Sequence, residues 1–285
     1  MDSKNVVNDE NPFGNLKISE SWINLHQVGE RTICPQCNKS RKYFCYTCYL
    51  PVSEIKDYVP QIKLPLKVDI IKHAREIDGK STAVHAAVLC PNDVTVYTYP
   101  AIPSYDTLEK TILVFPSPNA DSIEELIRTL AIDNECFRRH EENKTYANIS
   151  RVVFIDSTWN QSRGIYKDPR LFKLPCVVIK KRITQFWRHQ NGVPRWHLST
   201  IEAIHQFFVE YDIIMEKLGN ELSLKEKPKD LYGHYDSNNL KIDNTNEAYH
   251  SGKFDNLLFF FRFMYDKIHS LYDHSSLKSY KRPLE

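Results

Sequence analysis

Glycine is scarce in this chain. There are eight in 285 residues, and the closest two, Gly219 and Gly233, stand fourteen positions apart. No G-x-G-x-x-G turn or phosphate-binding loop fits that spacing, which excludes dinucleotide dehydrogenases and nucleoside triphosphatases of the common kinds. Long apolar runs are missing too, for none exceeds five residues, as at 257–261, where Arg262 ends the run. A membrane-spanning helix needs about 20, so no membrane partner is expected. The first fifteen residues are polar and lack the apolar centre of a secretory signal. Together these absences predict an intracellular, reducing compartment. Excess charge is lacking as well: 38 Lys and Arg against 36 Asp and Glu leave +2, so any nucleic-acid contact must come from a local patch.

In a reducing compartment, seven cysteines need an explanation other than disulfides. Four of them form two C-x-x-C pairs, Cys34 with Cys37 and Cys45 with Cys48, separated by seven residues. Each pair folds as a tight turn, and the short spacer brings the turns face to face, which suits four thiolates around one Zn²⁺. A redox dithiol is the competing reading, against which the second pair argues. A site with four protein ligands has no open position, so the metal is expected to be structural. Cys90, Cys136 and Cys176 are read as buried free thiols.

Residues 151–159 read Arg-Val-Val-Phe-Ile-Asp-Ser-Thr-Trp. The β-branched and aromatic run 152–155 predicts a strand buried on both faces, as parallel sheets require. Asp156 then stands at its C-terminal end, the edge of an open α/β sheet where ligands bind. The plainer reading is that Asp156 or Ser157 caps the following helix while Trp159 packs on the sheet.

Further strands are expected at 68–71, 95–99, 111–115 and 176–179, and helices at 82–89 and 123–134. This alternation predicts α/β with a mainly parallel sheet and helices on both faces. Ser199 and Glu202 form a capping box that opens a long helix with Ile204, Phe207, Phe208, Tyr211 and Met215 on one stripe. Its free amides could also take a carboxylate. Between Pro169 and Ile201 there is no Asp or Glu, while Arg170, Lys173, Lys180, Lys181, Arg182, Arg188 and Arg195 accumulate a local charge of +7. With His189 and His197, and with Phe186, Trp187 and Trp196 for stacking, this segment suits RNA phosphates and an unpaired base.

Asp156-Ser157-Thr158-Trp159 resembles the Asp-x-Thr-Trp signature of the DTW domain family, and residues 198–203, Leu-Ser-Thr-Ile-Glu-Ala, are similar to its second signature. The motifs place the match over 32–211. The resemblance implies transfer of the 3-amino-3-carboxypropyl group of S-adenosylmethionine to N3 of a tRNA uridine, in the nucleus or the cytoplasm with the nucleus favoured. It also implies a SPOUT-like, trefoil-knotted fold. Catalytic roles would fall on Asp156, Thr158 and Trp159, and donor contacts on Pro116, Ser117, Trp159, Leu198, Ser199, Thr200 and Glu202. tRNA would meet Lys180, Lys181, Arg182, Arg188, His189 and Arg195. In family terms His73 and Glu76 lie near the site, although the family usually has proline after this histidine and this chain has Ala74. A SPOUT-type RNA methyltransferase and a zinc-containing RNA-binding protein without activity are the alternatives.

The expected organisation is a mobile arm over 1–31, a zinc module over 32–60 and a catalytic domain over 61–218. A flexible excursion over 219–253 and a C-terminal helix within 254–285, packed on the domain, complete it. No obligate protein partner is expected.

Overall fold

A computed structural model describes residues 12–105, 110–137, 149–188, 193–225, 251–273 and 277–281. His189, residues 1–11 of the expected arm and residues 226–250 of the expected excursion lie outside the described residues, as does the side chain of Cys136.

After a 3-10 segment, Glu20–Gln27, come two small antiparallel ribbons: β1 (Thr32–Ile33) with β2 (Ser40–Arg41), and β3 (Phe44–Cys45) with β4 (Leu50–Pro51). A 3-10 segment, Ser53–Tyr58, leads onward. Six strands then build one sheet: β5 (Lys67–Lys72), β6 (Val94–Thr98), β7 (Lys110–Val114), β8 (Asp121–Ser122), β9 (Ile149–Asp156) and β10 (Cys176–Val178). Their order is β6-β5-β9-β7-β10-β8, and every pairing is parallel. β9 is longer than its apolar run because both of its edges are paired, from Lys67 opposite Arg151 to Lys72 opposite Asp156 on one side and along β7 on the other. The ladder therefore carries Asp156 to the last paired position.

Side chains alternate across a strand, so each strand feeds two cores. Val68, Ile70, Ile112, Val152 and Phe154 face a large core built with α1 (Ala83–Leu89), α2 (Ile123–Phe137), α5 (Thr200–Lys225) and α6 (Phe259–Leu271). Ile71, Leu113 and Val153 face a smaller one closed by Ile165 of α3 (Trp159–Tyr166) and Leu171 of α4 (Pro169–Phe172). Helices thus cover both faces. Ile204, Phe207, Phe208 and Tyr211 of α5 are buried as their spacing predicts. Residues 219–225 continue α5 instead of starting an excursion.

The C-terminal element opens as a 3-10 turn, Asp255–Leu258, before α6 begins. There the fully buried Asp255 accepts a hydrogen bond from Lys17 N (2.7 Å) and pairs with His205 Nε2 (2.9 Å), joining the N-terminal region, α5 and the C-terminal segment. Phe259, Phe260, Phe261 and Phe263 are all buried, each contributing about 1.5–3 kcal/mol by leaving water. Phe13 meets Tyr265 edge to face at 5.1 Å, Arg262 lies over Trp22, and Leu25 is buried. Residues 12–31 accordingly pack on the body, contrary to a mobile arm that includes them. Cys90 and Cys176 are buried free thiols. No helix among the described residues is long and apolar enough to cross a membrane.

Candidate active site

Asp156 ends β9 with only 6% of its surface exposed. Its Oδ1 accepts a hydrogen bond from the Thr200 hydroxyl and its Oδ2 accepts one from Ser81 Oγ at 2.7 Å. Ser81 Oγ in turn accepts from Ala83 N at the start of α1. One carboxylate thus ties the central strand to the beginnings of α1 and α5. Burial pushes the Asp156 carboxyl above its ordinary range, the Thr200 and Ser81 hydroxyls and Lys72 oppose the rise, and Asp78 adds to it. A basic group buried this way gains proton affinity, which suits a general base.

Two cavities meet beside it. A polar one of about 550 Å³ is lined by Glu76, Lys80, Ser81, Asp156, Thr158 and Arg188, among others. A second, of about 560 Å³, is more apolar and is lined by Phe115, Pro116, Ile155, Val178, Trp196 and His197, with Lys180 and Lys181 among the other lining residues. Ser157, Trp159, Leu198 and Thr200 line both and form the seam. Trp159 opens α3 and lies 4.4 Å from the His197 ring and 6.3 Å from Phe115, ring centroid to ring centroid. Local sequence explains the turn: Gln161 accepts the Thr158 N–H, and Ser162 reaches back to the Thr158 carbonyl.

The other predicted residues divide. Pro116, Leu198, Ser199 and Thr200 line one or both cavities. Ser117 lines neither and hydrogen-bonds Tyr166, which stacks on Phe115. Glu202 also lines neither. Its carboxylate accepts from Ser199 N (2.8 Å), Ser199 Oγ (2.7 Å), Thr184 Oγ1 (2.6 Å) and Gln185 N (2.8 Å). It closes the predicted capping box and at the same time anchors the basic segment. The start of α5 is engaged in other ways too, since Ile201 N donates to Thr82 Oγ1. The Ser199 and Ile201 amides are thus already engaged, which leaves Thr200 N and Glu202 N in the first turn for the carboxylate of the capping-box reading. Glu76 reaches the polar cavity, whereas His73 Nδ1 accepts Arg75 N and stabilises a turn.

The acid-free segment is not uniformly a surface. Lys180 and Lys181 are exposed, and Arg182 makes no hydrogen bond or ion pair among the described residues. Lys181 Nζ lies 5.1 Å from the Trp196 ring, and the Arg195 carbonyl accepts Thr184 N. Arg188 differs, for it turns inward, donates to the Lys80 carbonyl and lies against Phe186. Phe186 is buried and lines the polar cavity, and both it and the partly buried Trp187 pack on Phe261. Ser81, Thr82, Lys80 and His197 were not identified as cavity residues from the sequence, which offers only an ordinary helix start for the first two.

Away from the cavities, the sulfurs of Cys34, Cys37, Cys45 and Cys48 all lie within 4.8 Å of one another, and Cys37 Sγ is 3.5 Å from Cys45 Sγ. Tetrahedral Zn–S bonds of about 2.3 Å set sulfurs about 3.8 Å apart, so the cluster fits the ion. The two turns are alike: Asn38 N donates to the Cys34 carbonyl and Tyr49 N to the Cys45 carbonyl, with both residues at positive φ. Buried Arg41 donates to Cys45 Sγ at 3.3 Å and to Thr47. Burial raises the Cys45 thiol, yet Arg41 and the Cys48 and Thr47 amides bring it down to about 6. Desolvation and the neighbouring sulfurs push Cys48 up to about 12. Sulfurs this close cannot all ionise together until a cation joins them.

Residues 42–269 match the DTW domain, a span that starts later and runs further than the 32–211 read from the motifs. Relatives named tRNA-uridine aminocarboxypropyltransferase 1 are similar along most of their length. The Xenopus tropicalis protein is 38% identical over 90% of this chain and 86% of its own. The Mus musculus protein is 38% identical over 91% and 84%, and the Homo sapiens protein 37% over 92% and 85%. No solved structure gives a significant match.

Proposed function

The chain belongs to the DTW domain family, and from that premise we propose that it is a tRNA-uridine aminocarboxypropyltransferase using S-adenosylmethionine as donor. Asp156 carries the reading: it is a buried carboxyl of raised proton affinity beside the seam between a polar and an apolar cavity. Both cavities fall within the range of about 300–1,000 Å³ usual for small-molecule sites. The adenosine suits the apolar one, against Pro116, Trp159 and Leu198, and the uridine enters the polar one. In the reaction, uridine N3 attacks the γ-carbon of the methionine moiety, the carbon–sulfur bond breaks, and 5′-methylthioadenosine leaves. Asp156 accepts the N3 proton, Ser81 and Thr200 hold its carboxylate in place, and Trp159 borders the sulfonium side. Holding the groups in line supplies much of the rate. Thr158 acts through the turn it caps.

With S-adenosylmethionine labelled separately in its methyl group and in its carboxypropyl chain, tRNA gains only the chain label and methylthioadenosine accumulates. Methyl label in the tRNA would reject the reaction and favour a methyltransferase. No transfer of either label would favour a binding protein.

Lys180, Lys181, Arg182 and Arg195, with His189, are assigned to tRNA phosphates. What supports this is that Lys180 and Lys181 line the apolar cavity and that the segment has no acids. Replacing Lys180, Lys181 and Arg182 together should weaken tRNA binding and flatten its salt dependence by roughly one unit for each phosphate no longer neutralised, with donor affinity unchanged. Full tRNA affinity with an unaltered slope in a salt titration would remove the assignment.

One Zn²⁺ is assigned to Cys34, Cys37, Cys45 and Cys48 as a staple of the N-terminal module, with no part in the transfer step. A SPOUT-like knotted threading and nuclear residence complete the proposal.

A further inference from the structure

The donor assigned above carries an ammonium and a carboxylate on one carbon, and the start of α5 has no free amide at Ser199 or Ile201 for the carboxylate. The polar cavity offers another partner. Arg188 lines it, commits one Nη1 donor to the Lys80 carbonyl, and has no further hydrogen bond among the described residues. Glu76 lines the same cavity, and its carboxylate makes no hydrogen bond or ion pair among the described residues. The two feel each other's charge without closing into an ion pair. A half-buried acid and a half-buried base left apart are costly unless something joins them.

We propose that Arg188 and Glu76 recognise the α-amino-acid head of the donor, the guanidinium binding its carboxylate and Glu76 its ammonium. The inference rests on S-adenosylmethionine being the donor. Burial first, and then the Asp156 charge, raise the Glu76 carboxyl, while Arg188 lowers it. An arriving ammonium would favour the ionised form of Glu76 as well. With the nucleoside in the apolar cavity and the head held in the polar one, the propyl chain is drawn across the Trp159 seam past Asp156. That arrangement presents the γ-carbon, and not the methyl group, to the acceptor. Arg188 and Glu76 are thus specificity residues for which group is transferred.

The test is calorimetric titration of the full chain and its variants with S-adenosylmethionine, its decarboxylated analogue and 5′-methylthioadenosine. Arg188→Gln should bind S-adenosylmethionine about 10- to 150-fold more weakly, the range of a charge-assisted hydrogen bond, and bind the other two as the wild type does. Arg188→Lys keeps the charge without the fork and should lose less. Glu76→Gln should lose affinity for both amine-bearing ligands and none for methylthioadenosine, whose unchanged binding also certifies the fold. Equal losses for all three ligands, or none, would overturn the inference. So would an Arg188→Gln variant that loses only tRNA affinity, which would make Arg188 a phosphate contact. A wild-type chain that binds methylthioadenosine but not S-adenosylmethionine overturns the donor assignment and this inference with it. Normal wild-type binding with unaffected variants overturns this inference alone.

Discussion

Turnover of an Asp156→Asn variant should fall on the order of 10²- to 10⁴-fold, the usual contribution of a general base, while donor and tRNA binding persist. Asparagine keeps the shape of the side chain, and its amide can still meet the rotatable hydroxyls of Ser81 and Thr200. What it loses is basicity. The pH dependence separates this role from mere positioning. A base works only when deprotonated, so wild-type kcat/KM should rise with pH through the Asp156 pKa, and the raised value moves that limb above the usual carboxylate range. The residual activity of Asp156→Asn should lack the limb.

Stability gives a second readout, with its sign fixed by the same shift. A carboxyl raised in the folded state contributes stability that is present below its unfolded pKa of about 3.9 and is lost as pH rises through the folded pKa. At neutral pH the ionised, buried Asp156 is therefore a net cost, and Asp156→Asn should melt no lower than the wild type. Normal activity in the variant would reject the assigned base while sparing the reaction. An inactive variant that also melts many degrees lower would make Asp156 a structural residue.

The second large effect concerns the cysteine cluster. Elemental analysis should find one zinc per chain, and Cys45→Ser or exhaustive chelation should unfold the N-terminal module. Structural zinc contributes about 10–16 kcal/mol to the folding of small zinc modules. If only about 5 kcal/mol of that reaches the whole chain, the melting midpoint drops by about 10–20 °C, at about 2–4 °C per kcal/mol for chains approaching this size. The damage should spread because the module is packed into the body. Phe44 meets His85 of α1 and Phe260 of α6, while Tyr43 meets Phe263 and accepts a hydrogen bond from Lys267. Any activity left should still depend on tRNA, since no step uses the metal. Well-folded protein without metal would end the assignment.

Features governed by nearest neighbours were legible in the chain itself. Two C-x-x-C turns bring their sulfurs together because each turn is closed by its own backbone, as the matching Asn38 and Tyr49 bonds attest. The apolar run before Asp156 made a central strand because only a strand covered on both faces can use four such residues in a row. The stripe on α5 and the capping box at Ser199 came from helical periodicity. The DTW motif likewise holds Asp156 and Thr158, which line the polar cavity, and Trp159, which lines both.

Tertiary structure decided which of these local pieces meet. Ser81 and Asp156 are 75 positions apart, and Thr82 and Ile201 are 119 apart, so strand order and crossover, not local pattern, brought them together. The basic segment was legible as charge, but charge has no direction in a sequence. Glu202 pins Thr184 and Gln185, and Phe186 and Trp187 sink against Phe261. Arg188, just beyond them, faces inward beside Glu76 and Asp156, whereas Lys180 and Lys181 stay exposed. A side chain's chemistry is set by its residue type, but its orientation follows from the packing of its neighbours, and here that packing involves elements far away in the chain.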